Sequence, residues 1–341
     1  MMMKAAVYNG LKDLRITEIP IPEIGENDVL VKVKACGICG TDIHIYEGAE
    51  GAAACVPPTV LGHEFSGVID KIGKSVTGLK VGDRVVVDPN DQCGYCEFCK
   101  SGIGHYCENM IGYGTTADGA FAEYCAVRAK QVYKISDSLS FEVASLAEPV
   151  SCCLHGVDLA GILPGSTAMI IGGGPIGLIM MQLVKLAGAT TIILLEPVES
   201  KRKIAKSLGA TLTIDPISED VQAILDQNGI KNINTVVECV GLKNTMLDAI
   251  RFAGKCGTVV LFGLTAPDCE ISIKPFEIFK KEIKITASYI NPYTMDRAIS
   301  ILQSGAIQAD PIIAGTLPLD EIGKAFENGE IRRNGKIIIQ P

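Results

Sequence analysis

From residue 167 onward, short apolar runs alternate with longer helical patterns, and this alternation restricts the fold more than any other feature of the chain. TAMIIG at 167–172, TIILLE at 191–196, TLTI at 211–214, NTVVEC at 234–239, GTVVLFG at 257–263 and EIKITAS at 282–288 read as strands. Helical patterns at 175–188, 200–209, 218–228 and 243–253 lie between them. Apolar strands alternating with helices pack as a parallel, doubly wound α/β sheet. The first strand runs into GGGPIG, where Gly172, Gly174 and Gly177 satisfy G-x-G-x-x-G between a strand and a helix. That context is what a dinucleotide pyrophosphate requires. Gly174 admits close backbone approach, Pro175 suits a first helical turn, and the helix N-terminus offers donors and a favourable dipole. Glu196 stands at the end of the next strand, where a carboxylate accepts from a ribose 2'-hydroxyl and repels a 2'-phosphate. NAD is therefore expected over NADP, although Lys201 and Arg202 lie close by.

Residues 1–150 have another texture. Val- and Ile-rich runs such as VLVKVKACG, FSGVIDKIG and DRVVVDPN are broken every eight to twelve positions by Gly, Asp or Pro. This pattern predicts an antiparallel β-barrel, with no long helix interrupting it. After residue 290 the helical MDRAISILQSG and short strands return to the first domain. The expected organisation is a catalytic barrel domain at 1–150, a nucleotide domain at 151–290, and a return to the barrel at 291–341. A net charge of −8 and the lack of a Lys/Arg block exclude a nucleic-acid surface. The start MMMKAAVYNGLKDLRI has no apolar signal core, and no apolar stretch reaches membrane-spanning length, so a cytoplasmic protein without membrane contact is expected.

The 13 cysteines in an unexported chain argue for metal binding rather than a disulfide framework. Four of them, Cys93, Cys96, Cys99 and Cys107, follow C-x2-C-x2-C-x7-C inside the lobe 91–109. Four thiolates on one short loop close a tetrahedron around zinc and leave no open position, which makes the site structural. A second set is dispersed: Cys39 in GICGTDIH, His63 and Glu64 in GHE, and Glu148 in AEP. Cys, His and carboxylate are zinc ligands, and three of them plus water make the catalytic pattern. Each also has an ordinary reading as a buried thiol, a core histidine or a surface acid. Thr41 and His44 are of the right types for a hydroxyl-to-imidazole proton relay, and Asp42 for holding the His63 imidazole.

With GICGTDIHIY, VLGHEFSGVI, GDRVVVDP, the four-cysteine lobe, AEPVSCCLHG and IIGGGPIGL in this order, nearly the whole chain resembles the zinc-dependent medium-chain dehydrogenase/reductase family. Within it the chain is similar to the polyol (sorbitol) dehydrogenase branch. The resemblance implies a GroES-like barrel plus a Rossmann domain, zinc at two sites per chain, NAD, and a homotetramer or dimer. It implies Cys39, His63 and Glu64 as catalytic zinc ligands, with Glu148 contacting the ion directly or through water. It places Ile176, Glu196, Lys201, Phe262, Gly263, Leu264 and Tyr289 along the cofactor, and Tyr46, Phe121, Glu148 and Tyr289 at the substrate. Ser288-Tyr289 replaces the branch's Arg-Tyr, and Ile45 stands where tyrosine is frequent.

The expected reaction is oxidation of a secondary alcohol of a polyol to a ketone with hydride transfer to NAD. L-Threonine 3-dehydrogenase and 2,3-butanediol dehydrogenase share this chemistry and differ in their pockets. Outside that class stand a non-catalytic NAD- and zinc-binding protein on the same scaffold, and a zinc hydrolase, which leaves the dinucleotide turn unexplained.

Overall fold

Alternation in DVLVKVKACG builds the central strand of one half of the molecule: Val29, Val31 and Val33 are buried while Lys32 and Lys34 reach solvent. The computed structural model describes residues 1–49 and 54–341. The chain divides into two units, Met1–Ser151 with Asn291–Pro341, and Cys152–Ile290.

In the first unit, strand Asp28–Gly37 pairs antiparallel with Glu64–Ile72, with Tyr124–Arg128 and with Lys336–Gln340, inside a seven-stranded sheet. A three-stranded sheet built on Met2–Gly10 shares one apolar core with it, including Tyr8, Val31, Leu61, Phe65, Phe121 and Phe326. The antiparallel rule has one exception, since Ile313–Pro318 runs parallel to Lys336–Gln340. The short helix Gly40–Tyr46 departs from the strand-like texture of residues 1–150, and the 14-residue helix Ala147–Ala160 begins in this unit and continues as the start of the second.

The second unit holds six parallel strands. From edge to edge they run Leu212–Ile214, Thr191–Leu195, Thr167–Ile171, Thr235–Glu238, Thr258–Leu261 and Lys284–Ala287. Ala168, Met169 and Ile170 are fully buried, as a sheet covered by helices on both faces requires. The chain moves outward from Thr167–Ile171 and then crosses back to Thr235–Glu238, so the order reverses between these two strands. Crevices that bind ligands in such sheets open at this reversal, beyond the carboxyl ends of the strands. No described helix is long and apolar enough to cross a membrane.

The first unit also carries a buried polar knot. Asp88 Oδ1 accepts from the Asn90 backbone N–H at 3.0 Å and from Asn291 Nδ2 at 3.2 Å, and Asn90 Nδ2 donates to Asn291 Oδ1 at 2.6 Å. Burial pushes the Asp88 carboxyl up to about 6 despite these bonds. A raised folded-state value means that the native protein binds this proton more tightly than the unfolded chain. Stability from this group is therefore full below about pH 4 and is lost as pH rises through about 6, at a cost of about 3 kcal/mol at neutral pH. Asp88→Asn keeps an acceptor at the same place without the charge. Its melting temperature is expected to exceed that of the parent at pH 8 by several degrees, with the gain shrinking toward pH 4 in paired thermal scans.

Candidate metal centres and dinucleotide turn

The register of three strands assembles the dispersed residues. Gly37 lies opposite both Glu64 and Ile338. Cys39 therefore follows directly at the end of one strand, His63 and Glu64 open the next, and Lys336 opens a third. Cys39, His63 and Glu64 each offer a ligand atom, and these atoms all lie within 4.8 Å of one another. A side chain at Gly37 would collide with the Glu64 carboxylate, so glycine is needed for this approach.

Charge is concentrated here. Glu64 is fully buried, and its Oε2 has no hydrogen-bond partner among the described residues. Its Oε1 accepts from Lys336 Nζ at 2.7 Å, and Lys336, itself 5% exposed, also donates to the Ile38 carbonyl. Asp42, fully buried on the short helix, accepts from the Cys39 backbone N–H at 2.8 Å through Oδ2. Its Oδ1 lies 3.4 Å from His63 Nδ1. Burial alone would lower the His63 value, but the charges of Asp42 and Cys39 outweigh it and hold it well above the ordinary range. A buried carboxylate oxygen without a donor, beside a thiol and an imidazole held by an acid, is the environment a cation completes. Thr41 and His44 are three residues apart on helix Gly40–Tyr46 and so share a face.

Not every expected residue joins this group. Glu148 falls outside the set of mutually close ligand atoms, although its charge helps to hold Lys336 protonated. Phe121 is fully buried in the barrel core, edge-on to Phe326 with centroids 6.0 Å apart. Tyr46, 8% exposed, packs on the same ring at 5.3 Å. Both rings belong to the apolar core of the barrel. Lys336 carries no signal in the sequence, because a lysine before a run of three isoleucines reads as the solvated start of a strand.

In the lobe, the four Sγ atoms of Cys93, Cys96, Cys99 and Cys107 also lie within 4.8 Å. The Cys93 and Cys96 backbone N–H groups donate to Cys107 Sγ and Cys93 Sγ at 3.2 and 3.4 Å. Burial opposes ionisation of Cys93, but backbone donors at Tyr95 and Cys96 outweigh it and lower the thiol to about 6. Burial and the neighbouring thiols push Cys99 up to about 12. Four thiolates this close ionise together only around a cation, so the donor set fits zinc. Cys99→Ser removes one of four ligands from a lobe with little core. We expect loss of one zinc per chain and a fall in melting temperature of several degrees; unchanged zinc content and melting behaviour would contradict a structural role.

In the second unit, helix Pro175–Leu186 starts with Gly174 as its cap and Pro175 in its first turn. A side chain at Gly177 would collide with the Gly172 carbonyl, which explains the third glycine as a packing requirement. Glu196 ties the glycine-rich turn to its own loop: its Oε2 accepts from Gly173 N–H at 2.7 Å and its Oε1 from Val198 N–H at 2.9 Å. Tyr289 and Leu264 remain 38% and 49% exposed at the strand ends. None of the 13 cysteines forms a disulfide.

Residues 25–137 match the alcohol dehydrogenase GroES-like domain, and residues 175–304 match the zinc-binding dehydrogenase domain. D-arabinitol dehydrogenase 1 of Uromyces fabae is 35% identical over 99% of this chain and 97% of its own. The chain belongs to the zinc-dependent medium-chain dehydrogenase/reductase family. Within this family, an L-threonine 3-dehydrogenase of Caldanaerobacter subterraneus is 36% identical, over 96% of this chain and 95% of its own. A zinc-binding dehydrogenase of Sinorhizobium meliloti 1021, solved with NADP, superposes with a TM-score of 0.95 at 39% identity and full coverage of both chains. Membership of the family gives the reaction class, zinc-dependent oxidation of an alcohol with a nicotinamide dinucleotide as hydride acceptor.

Proposed function

We propose that this dehydrogenase oxidises a secondary hydroxyl of a polyol to a ketone with NAD, at a zinc ion held by Cys39, His63 and Glu64. The observation that carries the assignment is the convergence of these three residues, with Glu64 Oε2 buried and without a donor. Zinc bound there supplies Lewis acidity that lowers the pKa of a hydroxyl. Asp42 fixes the imidazole and presents its other nitrogen, and Lys336 balances the charge of Glu64 in a buried setting. Thr41 and His44 carry the hydroxyl proton outward, and Glu148 acts on the site from outside the ligand set.

Preference for NAD is supported by Glu196, whose charge at the turn disfavours a 2'-phosphate. A polyol substrate is supported by the D-arabinitol relative. The threonine dehydrogenase relative supports L-threonine oxidation as a second reading. A panel of sugar alcohols, vicinal diols and L-threonine, followed by NADH absorbance, tests both. Turnover of a polyol with NAD favoured over NADP is expected. Turnover of threonine alone would move the assignment to the second reading, and no turnover of any polyol or diol would overturn the first.

We also infer a homotetramer in the cytoplasm. The edge strand Lys284–Ala287 has an open side, and Phe276 and Phe279 on the preceding helix are 66% and 82% exposed. Exposed Tyr95, Ile103 and Tyr106 on the cysteine lobe supply a second apolar surface, which favours a tetramer over a dimer. Thirteen reduced cysteines suit a reducing compartment.

A further inference from the structure

Glu238 closes strand Thr235–Glu238 at the reversal point of the parallel sheet and is fully buried. A carboxylate in that position is costly unless its lone pairs are filled. Its side chain is filled by main chain. Oε1 accepts from the Val240 and Gly241 N–H groups at 2.8 and 2.9 Å, and Oε2 accepts from Gly241 at 3.2 Å. Its own carbonyl takes the Phe262 and Gly263 N–H groups, both at 2.9 Å. One residue therefore collects donors from the loops that follow two neighbouring strands.

The tie extends to the third loop. Val240 packs on the glycine-rich turn so closely that a Cβ at Gly172 would lie 2.7 Å from its Cγ2. On its other side the turn is held by Glu196 through Gly173. The loops at 172–174, 239–242 and 262–264 all sit at carboxyl ends of strands beside the reversal, where such sheets bind dinucleotides.

We infer that Glu238 is a positioning residue of the dinucleotide crevice: its carboxylate fixes the Val240–Gly241 turn against the phosphate-binding glycines, while its main-chain carbonyl holds Phe262 and Gly263 beside that turn. The inference rests on the reading of Cys152–Ile290 as the dinucleotide-binding unit. The reach of the side chain is what matters. Aspartate is one methylene shorter and draws the acceptors back from the two N–H groups, whereas glutamine keeps the length and one acceptor oxygen.

NADH titration followed by fluorescence, on zinc-loaded protein, tests this. Glu238→Asp is expected to weaken NADH binding by about tenfold, the worth of one charge-assisted hydrogen bond, with zinc content unchanged. Glu238→Gln is expected to stay within about threefold of the parent, because the acceptor remains in reach. Where Glu238→Asp does not fold, Val240→Ala replaces it: Val240 is 41% exposed, so its truncation spares the core and still loosens the turn. Parent-like NADH binding in folded Glu238→Asp or Val240→Ala would overturn the inference, as would a Gln variant weakened more than the Asp variant, which would point to charge instead. Failure of the parent itself to bind NADH would overturn the underlying reading as well.

Discussion

Cys39→Ser lowers kcat/KM for the alcohol by about a thousandfold or more while the fold and the lobe zinc persist. A serine hydroxyl does not ionise near neutral pH and is a poor zinc ligand beside a thiolate. Cys39 caps helix Gly40–Tyr46, and its backbone N–H is held by Asp42, so the substitution leaves the local hydrogen bonding in place. What is lost is the ion's polarisation of the hydroxyl, worth several kcal/mol, and about 4 kcal/mol corresponds to roughly a thousandfold in rate. NADH absorbance gives the rate, and elemental analysis should fall from two zinc ions per chain to one. Activity within tenfold of the parent would remove Cys39 from the proposed ligand set.

Lys336→Met has the second large effect, and it falls on stability. Lys336 is a buried cation whose partner Glu64 is fully buried, with 2.7 Å between them. Burial alone would lower the Lys336 value, but the charges of Glu64 and Cys39 hold it well above the ordinary lysine range. A raised value for a base keeps its contribution in full below the unfolded lysine range, so the contribution of Lys336 is insensitive to pH around neutrality. Replacing the ammonium by a thioether of similar length strands the Glu64 charge, at a cost of about 3–5 kcal/mol. Bound zinc compensates the same carboxylate. The loss of melting temperature should therefore be larger after treatment with a chelator than in zinc-saturated protein, and an equal loss in both would separate Lys336 from the metal centre.

Much of this molecule is legible in its amino-acid order because local rules and tertiary structure agree. The four central strands of the parallel sheet, from Thr167–Ile171 to Thr258–Leu261, are buried on both faces and bounded by helices, so pattern and context point the same way. The four lobe cysteines are close in sequence, and a loop can only bring such neighbours together. The dispersed set is harder. Cys39 meets His63 and Glu64 only through the pairing of Gly37 with Glu64, a register no local pattern encodes. Helix Gly40–Tyr46 is hidden because GTDIHIY alternates polar and β-branched residues like a strand. Helix Ala147–Ala160 contains Pro149 and Gly156, residues that punctuate a helical pattern, so its period reads as broken. Phe121 and Tyr46, placed at the substrate by resemblance, also pack in the barrel core, a contact that depends on Phe326 far along the chain and on no local pattern. Glu238 and Lys336 carry no sequence signal, since their roles arise from partners 2 to 298 residues away.

Anomalous diffraction at the zinc absorption edge, from crystals of the zinc-replete protein, tests the central claim most directly. Two peaks per chain are expected. One should lie inside the Cys93–Cys96–Cys99–Cys107 tetrahedron. The other should lie about 2.3 Å from Cys39 Sγ and about 2.0–2.1 Å from a His63 nitrogen. A single peak confined to the lobe, or a second peak remote from Cys39 and His63, would contradict the account.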